Sequence, residues 1–181
     1  MPKKLTVLPP GPPSDQPWYS DGLSFSCTCS GNCCTGGPGF IWVDDEEIDR
    51  LAAHLKLSRE ETLRKYTKRV GRKVTIKERK TPRGQYDCMF LTEIEPTPED
   101  KAAGQAEGRI VLRKRVCGIY PVRPLQCRTW PFWDGNLVSK ADWDHAAKRC
   151  PGMNRGRKFT QEQIDALNKA EEWPADGPTS D

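Results

Sequence analysis

The 181-residue sequence contains no apolar run near the roughly 20 residues that a membrane-spanning helix requires. Pro9, Pro10, Pro12 and Pro13 interrupt the N-terminal stretch, which therefore lacks the continuous apolar segment of a secretory signal. We expect a cytoplasmic protein with no membrane partner. In that reducing compartment, cysteines bind metals or remain free thiols, and disulfides are rare.

Large apolar side chains are also scarce. Hydrophobic residues make up 35% of the chain and charged residues 30%, which is lean for a domain of this size. Metal ions or disulfides usually support such a core. Both ends are polar and contain prolines, with too little apolar surface to offset the entropy of ordering. We predict a cysteine-cluster metal-binding domain at 21–173, a disordered Pro-rich tail at 1–20 and a disordered tail at 174–181.

Common signatures of catalysis and of nucleic-acid recognition are missing. The sequence has no P-loop, dinucleotide-binding glycine fingerprint, HExxH helix or nucleophile elbow. It also lacks the paired C-x-x-C knuckles of a zinc ribbon. The net charge of +4 is modest, and no run of Lys/Arg alternates with exposed aromatic residues. Nucleic acid is therefore not indicated as a partner, and any catalysis would have to occur at a bound metal.

The sequence does contain eight cysteines, four of them within the segment FSCTCSGNCC at 25–34. Core packing cannot send four side chains from so tight a segment into one apolar interior, so they need a common ligand. Thiolates bind Zn²⁺ tetrahedrally, and four cysteines likewise hold iron-sulfur clusters. Free thiols and extracellular disulfides are the alternatives, and we favour zinc or iron. The predicted metal ligands are Cys27, Cys29, Cys33, Cys34, Cys88, Cys117, Cys127 and Cys150.

The adjacent cysteines Cys33 and Cys34 leave the number of metal centres open. Successive side chains of extended backbone point in opposite directions, so both can bind one ion only if the chain bends sharply. Otherwise they serve different centres, or one of them is a supporting or reactive thiol. Eight sulfurs would suffice for two four-thiolate sites.

A four-thiolate zinc site carries a formal charge of about −2, which cations or N–H donors must offset in a partly buried place. The arginines near the later cysteines could do so, or they could be solvated surface charges. His54 and His145 face away from the apolar sides of their helices and are not favoured as ligands. The candidate cations are Arg115, Arg123, Arg128 and Arg149, of which we select Arg123 and Arg128 as supporting residues around the metal.

Residue periodicity predicts an α+β domain, small and irregular, stapled by metal, with a short antiparallel sheet and three to four helices. Helices are predicted after a cap at Asp44 or Asp45, at 58–70, at 139–150, and from Thr160 to about Trp173. Strands are predicted within 40–43, 74–79, 86–91 and 109–120. Residues 93–108 have the composition of a solvated loop or insertion, and the three prolines of 120–133 predict an irregular segment packed by aromatic residues.

Four segments together carry a family resemblance: FSCTCSGNCCTGGPGF, YDCMFL, CGIYPVRPLQCRTWPFW and RCPG. Over about residues 23–157 they closely resemble the YkgJ-type cysteine-cluster proteins, which are described as zinc- or iron-chelating domains. The resemblance implies a metal-chelating domain to which all eight cysteines correspond. The family's first group usually reads C-x-x-C-x-x-C-C, whereas here Cys29 comes one position early. Ser30 and Gly31 could absorb that shift in an irregular loop.

These observations leave more than one class of function. We favour a metal-binding protein in which zinc or iron supports the fold or serves a partner-linked role. The alternative is an enzyme or sensor: an iron-sulfur oxidoreductase, a redox sensor or a metal-dependent modifying enzyme. A third hypothesis, in which the aromatic residues of RTWPFW stack on nucleic-acid bases, is weaker because aromatics around a proline are more often core residues. The sequence identifies no protein partner and no substrate.

Overall fold

The structure of the protein is a computed structural model that describes residues 16–108 and 110–170. Residues 1–15 of the predicted N-terminal tail lie outside these ranges, as do 171–173 of the predicted last helix and the predicted tail at 174–181. At the described end of the first tail, Trp18 and Tyr19 pack against apolar side chains from the C-terminal half.

Short helices and strands alternate along the chain. The α-helices are α1 Asp45–Leu55, α2 Arg59–Tyr66, α3 Pro98–Ala106, α4 Leu125–Thr129, α5 Asp134–Leu137, α6 Lys140–Ala147 and α7 Gln161–Lys169. The strands are β1 Leu23–Phe25, β2 Thr35–Gly36, β3 Trp42–Val43, β4 Thr67–Val70, β5 Lys73–Ile76, β6 Glu78–Lys80, β7 Tyr86–Cys88, β8 Leu91–Ile94, β9 Lys114–Cys117 and β10 Met153–Phe159. Two 3-10 turns lie at Asn32–Cys34 and Tyr120–Val122.

The strands that the structure describes all pair in the antiparallel sense and form several small sheets. Within the described residues, these are β1–β10, β2–β7–β6, β3–β5–β4 and β8–β9, in order of neighbouring strands. The structure thus confirms the α+β class. In the part of the chain that is described, no helix has the length and apolar character needed to cross a bilayer.

The predicted starts of four helices are confirmed by side-chain caps. Asp44 accepts a hydrogen bond from the Glu47 backbone N–H at 2.7 Å, and Ser58, Ser139 and Thr160 cap α2, α6 and α7 in the same manner. Each cap satisfies a backbone donor that the first helical turn leaves without a partner. These local interactions involve residues three positions apart, which is why the sequence reveals them.

Two predicted helices are longer than the structure shows. The helix predicted at 58–70 ends at Tyr66, and Thr67–Val70 instead form β4, which pairs with β5. Gly71, with a φ of 55°, makes the turn between these strands. Pairing buries the β-branched Thr67 opposite Ile76, so tertiary packing overrides the helical periodicity. The helix predicted to reach Cys150 ends at Ala147.

Of the two alternatives for 93–108, the loop is wrong and the insertion is right, because this segment contains α3, inserted between β8 and β9. Thr97 and Asp100 form a capping box, and Pro98 occupies the first helical turn, where its missing N–H costs no hydrogen bond. The segment predicted to be irregular at 120–133 also contains a helix, the short α4, which fits between Pro124 and Pro131. The prolines therefore limit the length of this helix without preventing it.

Among the described residues, buried apolar side chains form two separate clusters. The first core is mainly aliphatic and comprises Val43, Ile48, Leu51, Ile76, Phe90 and Ile119. The second core is largely aromatic and comprises Phe132, Leu137, Trp143, Met153 and Ile164, with Trp18, Phe25 and Phe159 packed around it. Cys88 and Cys117 pack against the first core and Cys150 against the second, so cysteines lie on both sides of the boundary.

Candidate metal centre

The first four cysteines lie on a tightly bent segment, residues 27–34, which we call the cysteine turn. Cys29 and Gly31 adopt left-handed backbone conformations, with φ of 53° and 70°, and a 3-10 turn follows at Asn32–Cys34. The bend brings the Cys33 and Cys34 sulfurs to 3.9 Å from each other. The sharp bend that two adjacent ligands of one ion require is therefore present. These two left-handed residues lie where the spacing departs from C-x-x-C-x-x-C-C, with Cys29 one position early.

Gly31 allows the cysteine turn to lie directly against β8 and β9. A Cβ atom at this position would lie 3.0 Å from the Arg115 carbonyl oxygen and 2.9 Å from a Leu91 methyl carbon. Gly31 is also buried and has a positive φ, so a side chain would be both strained and crowded. This close approach sets the turn beside Cys117, the last residue of β9.

Seven of the eight cysteines line one small cavity of about 40 Å³, which we call the thiol cavity. These residues are Cys27, Cys29, Cys33, Cys34, Cys117, Cys127 and Cys150. The other lining residues include Tyr120, Arg123 and Trp130, and none is a histidine or a carboxylate. Cys88 lines a neighbouring side cavity of about 310 Å³, to which Cys33 and Cys34 also contribute. The structure therefore gathers all eight cysteines, although they span positions 27 to 150.

Five of these cysteines form a group that interacts electrostatically, and we call them the inner thiols: Cys33, Cys34, Cys88, Cys117 and Cys127. Hydrogen bonding with Cys34 lowers the pKa of Cys33 and of Cys117 to about 7, although partial desolvation opposes this. The same two hydrogen bonds, together with burial, raise the pKa of Cys34 well above its usual value. Hydrogen bonding within this trio thus makes the thiolate form more accessible at Cys33 and Cys117.

Burial dominates at the other two inner thiols. It raises the pKa of Cys88 to about 11, with the charges of Cys117 and Cys33 adding to the shift. It also raises the pKa of Cys127, which lies on α4, and nearby Cys88, Cys33 and Cys117 add to that shift. Both results show sulfurs close enough to repel one another as thiolates. A cation among them would remove that repulsion.

Cys27 and Cys29, the outer thiols, have a different environment. The Cys29 backbone N–H donates to the Cys27 sulfur at 3.4 Å. The Tyr120 hydroxyl also hydrogen-bonds with Cys27, which together with burial raises the pKa of Tyr120 to about 12. The sequence prediction did not include Tyr120 among the site residues, although it belongs to the quoted CGIY segment.

The eighth cysteine, Cys150, accepts a hydrogen bond from the Trp130 indole N–H at 3.4 Å. N–H donors of this kind stabilise negative charge on sulfur. Trp130 packs against the second core and stacks edge-on with Trp133 at a centroid distance of 4.8 Å. Trp130 was expected as a core residue, and the structure adds a contact with a candidate ligand that sequence reasoning missed.

The two arginines selected from the sequence lie in different places. Arg123 lines the thiol cavity. Burial raises the pKa of Cys29, and the charge of Arg123 offsets a small part of that rise. At Cys33 and Cys117, where hydrogen bonding with Cys34 lowers the pKa, the same charge adds a smaller lowering effect. The Arg123 guanidinium stacks on Tyr120 at 3.7 Å from the ring centroid, and its Nε donates to the Tyr120 carbonyl at 3.1 Å. Arg128 is exposed on α4 and does not line the thiol cavity.

The other two candidate cations brace the cysteine turn. An Arg149 side-chain N–H donates to the Thr35 carbonyl at 2.6 Å, and the Asn32 amide donates to the Arg149 carbonyl at 2.8 Å. Arg115 donates to Asp87 at 2.8 Å, and Asp87 also accepts a hydrogen bond from the Thr35 hydroxyl at 2.6 Å. These contacts hold both ends of the Cys33–Cys34 pair to distant parts of the chain.

The chemistry of the cavity suits a thiophilic metal. Its only conventional metal-binding side chains are thiols, and thiolates select zinc, copper(I) and iron-sulfur clusters over hard cations. Within residues 16–108 and 110–170, however, no three His, Cys, Asp or Glu side chains already have a metal-coordinating arrangement. The sulfurs line one cavity but are not at coordinating distances from a common point. A bound ion would therefore have to draw them closer together.

Comparison with known proteins agrees with this donor set. Residues 26–151 match the family CxxCxxCC, described as a "putative zinc- or iron-chelating domain". The matched range begins next to the cysteine turn and ends just after Cys150, so it contains every cysteine of the chain. No solved structure matches this fold.

Proposed function

Because the chain belongs to the CxxCxxCC family of zinc- or iron-chelating domains, we propose that it holds zinc or iron in its thiol cavity and that the metal mainly supports the fold. The observation that carries this proposal is the convergence of seven cysteines on one cavity between two apolar cores. Core packing alone would not place seven thiols around a shared space that contains no carboxylate and no histidine.

We infer that the inner thiols bind the first ion, with Cys33, Cys34 and Cys117 as ligands. Four sulfurs at about 2.3 Å from a tetrahedral metal are separated from one another by about 3.8 Å. The Cys33 and Cys34 sulfurs are 3.9 Å apart, which suits binding to the same ion. The fourth ligand is Cys88 or Cys127, both of which lie within electrostatic range of the others.

The outer thiols and Cys150 are left at the same cavity. If Cys88 completes the first centre, Cys127 would join them to supply four sulfurs to a second centre at the thiol cavity. Under this proposal, Arg123 offsets part of the negative charge of the thiolates, and Trp130 and Tyr120 supply hydrogen bonds to sulfur. We retain the cytoplasm as the compartment, since thiolate sites persist where cysteines stay reduced.

A metal here would tie together parts of the chain that pack in different cores. Cys88 and Cys117 pack against the first core, Cys150 packs against the second, and the cysteine turn runs between them. The free energy of binding a structural metal is also free energy of folding, because the unfolded chain has no preformed site. Metal loss should therefore loosen the joint between the cores.

The test is metal analysis of the full chain purified without oxygen, alongside Cys117→Ser and Cys150→Ser. We expect a colourless protein with at least one zinc per chain, no zinc at the first centre in Cys117→Ser, and an intact first centre in Cys150→Ser. If wild type holds two ions and Cys150→Ser holds one, two centres are present. Equal metal content in wild type and Cys117→Ser would contradict the proposal.

The same preparation distinguishes the second candidate function. A brown protein that contains iron and acid-labile sulfide would replace the structural role with an iron-sulfur oxidoreductase or redox sensor, because such clusters are likewise held by cysteine thiolates. Reversible bleaching of the visible spectrum on reduction would then separate redox work from a passive cluster.

A further inference from the structure

Positive charge is concentrated in one part of the chain. Residues 64–83 contain ten of the 29 Lys/Arg and one of the 25 Asp/Glu, so this stretch carries +9 while the remaining residues carry −5. Eight of the ten basic residues are exposed. The modest net charge of the whole chain therefore conceals a strongly basic region, which covers the end of α2, the β4–β5 hairpin and β6.

Two aromatic residues lie beside this hairpin. Phe40 and Trp42 stack with a centroid distance of 4.9 Å and an angle of 18° between ring planes. Phe40 is 41% exposed, which is unusual for a side chain of its size in a protein so poor in apolar residues. The stack is not part of either core as defined above.

Lysines from the hairpin lie at this aromatic stack. The Lys68 ammonium is 5.4 Å from the Phe40 ring centroid, and the Lys73 ammonium is 5.6 Å from that of Trp42. Strand register explains the arrangement, since Trp42 and Lys68 both pair with Thr75 of β5 from opposite sides and so share one face of the sheet. We call Phe40, Trp42, Lys68 and Lys73 the aromatic-basic platform.

A neighbouring cavity extends the positive region. It has a volume of about 430 Å³, and Arg69, Arg72 and Lys73 line it together with Trp42. Its acidic lining residues already have other partners: Asp44 caps α1, and Asp45 pairs with Arg59. No ion pair joins Lys68, Arg69 or Arg72 to a carboxylate among the residues that the structure describes.

From this arrangement we propose that the aromatic-basic platform and the adjoining arginines bind single-stranded nucleic acid. Phosphates would follow the edge of the hairpin, held by Lys68 on the platform face and by Arg69 and Arg72 at the adjoining cavity, and a base would stack at Phe40. Aromatic side chains on a small antiparallel sheet, flanked by cations, supply both interactions that sequence-tolerant binding of single strands requires. An acidic polypeptide would satisfy the arginines but would give no role to the exposed aromatic stack.

The sequence did not indicate such a partner, because no run of Lys/Arg alternates with aromatic residues along the chain. The sheet produces that alternation across strands, since the aromatics come from the β3 region and the cations from β4, β5 and their turn. The proposal is independent of the metal, although Phe40 also lines the side cavity beside Cys33 and Cys34.

The test measures fluorescence anisotropy of a labelled oligouridylate of about 12 nucleotides with the full metal-loaded chain, across a salt series. We expect saturable binding that weakens with salt. Arg69→Ala/Arg72→Ala should reduce the slope of log affinity against log salt by about 1.4, at about 0.7 for each phosphate contact. Phe40→Ala should weaken binding about tenfold and leave the slope unchanged, because stacking releases no counterions.

The matched control is Lys101→Ala/Arg155→Ala, which removes the same charge from exposed positions outside the basic region. Binding by this variant should remain within about twofold of wild type. Equal losses in both double variants, or no effect of Phe40→Ala, would reduce the result to general charge attraction and overturn the proposal. Tighter binding of labelled polyglutamate or of duplex RNA than of the single strand would overturn it as well. Far-UV circular dichroism checks that each variant folds.

Discussion

The two cores are built in different ways. The first core draws on one continuous portion of the chain, Val43 to Ile119, through hairpins and the packed pair α1 and α2. The second joins the start of the described chain to its end: β1 pairs with β10, and Trp18 donates to the Leu137 carbonyl at 2.7 Å. The second core thus depends on contacts between residues more than 100 positions apart.

The two cores also differ in the type of side chain that fills them. Aliphatic side chains dominate the first core, whose buried Phe90 stacks on the partly buried Tyr66. In the second core Phe132 contacts three aromatic rings, those of Phe25, Trp143 and Phe159, at centroid distances from 4.8 to 6.2 Å. Large rings bury much area per residue, which suits a core assembled from few residues of distant segments. The thiol cavity lies where the two meet, so the comparison predicts that the metal couples them.

Removal of the metal should have the largest effect. With metal bound, we expect one cooperative unfolding transition, and without it a melting temperature lower by about 10 °C or more, because each kcal/mol lost shifts this value by about 2–4 °C. Tryptophan fluorescence, to which Trp18, Trp130 and Trp143 of the second core contribute, should then separate from far-UV circular dichroism. Coincident, unshifted transitions after chelation would show that the cores are coupled without metal.

Substitutions that create a cavity in one core should show which core gives rise to each of the separated unfolding transitions. Phe132→Ala should lower the free energy of unfolding by about 4 kcal/mol and Leu51→Ala by about 3 kcal/mol, because both side chains are buried and neither space can collapse fully. In metal-free protein, Phe132→Ala should shift the fluorescence transition and Leu51→Ala should leave it in place. If each variant shifts both transitions equally, the two clusters unfold as one unit.

Gly31→Ala should separate the cysteine turn from the first core. The added methyl group meets the Arg115 carbonyl and imposes a left-handed conformation, so we expect a loss of about 2–3 kcal/mol and weaker metal binding. Gly37→Ala is the control, because a Cβ at Gly37 has no atom within 4 Å. Zinc titration with a colorimetric competitor measures the affinity. Equal behaviour of the two variants would mean that the turn does not need its close approach to β9.

The smallest effect concerns charge at the cavity. Arg123→Gln should weaken zinc binding about tenfold, the lower end of what supporting residues around metal ligands contribute, because it removes the cation among the thiols. Arg128→Gln should leave the affinity unchanged, since Arg128 is exposed and does not line the cavity. Zinc competition titrations of both variants measure these two affinities. If both variants bind zinc equally weakly, Arg128 supports the metal site as well.

Local sequence signals predicted a large part of this fold. The caps at Asp44, Ser58, Ser139 and Thr160 mark helix starts that the structure confirms, because capping needs only residues three positions apart. The same reasoning missed the capping box of Thr97 and Asp100, because the acidic, Pro-containing composition of that segment indicated a loop. It also failed beyond Tyr66, where pairing with β5 decided the outcome.

The sequence by itself determined that the chain belongs with cysteine-rich metal chelators, because eight thiols in a chain so poor in apolar residues, four of them within eight positions, have few other uses. Only the tertiary structure decided that Cys33 and Cys34 face the same side, that Arg123 and not Arg128 lines the cavity, and that lysines approach an aromatic stack. The physical reason is distance along the chain: residue type fixes which ligands a side chain can bind, whereas folding brings together groups far apart in sequence.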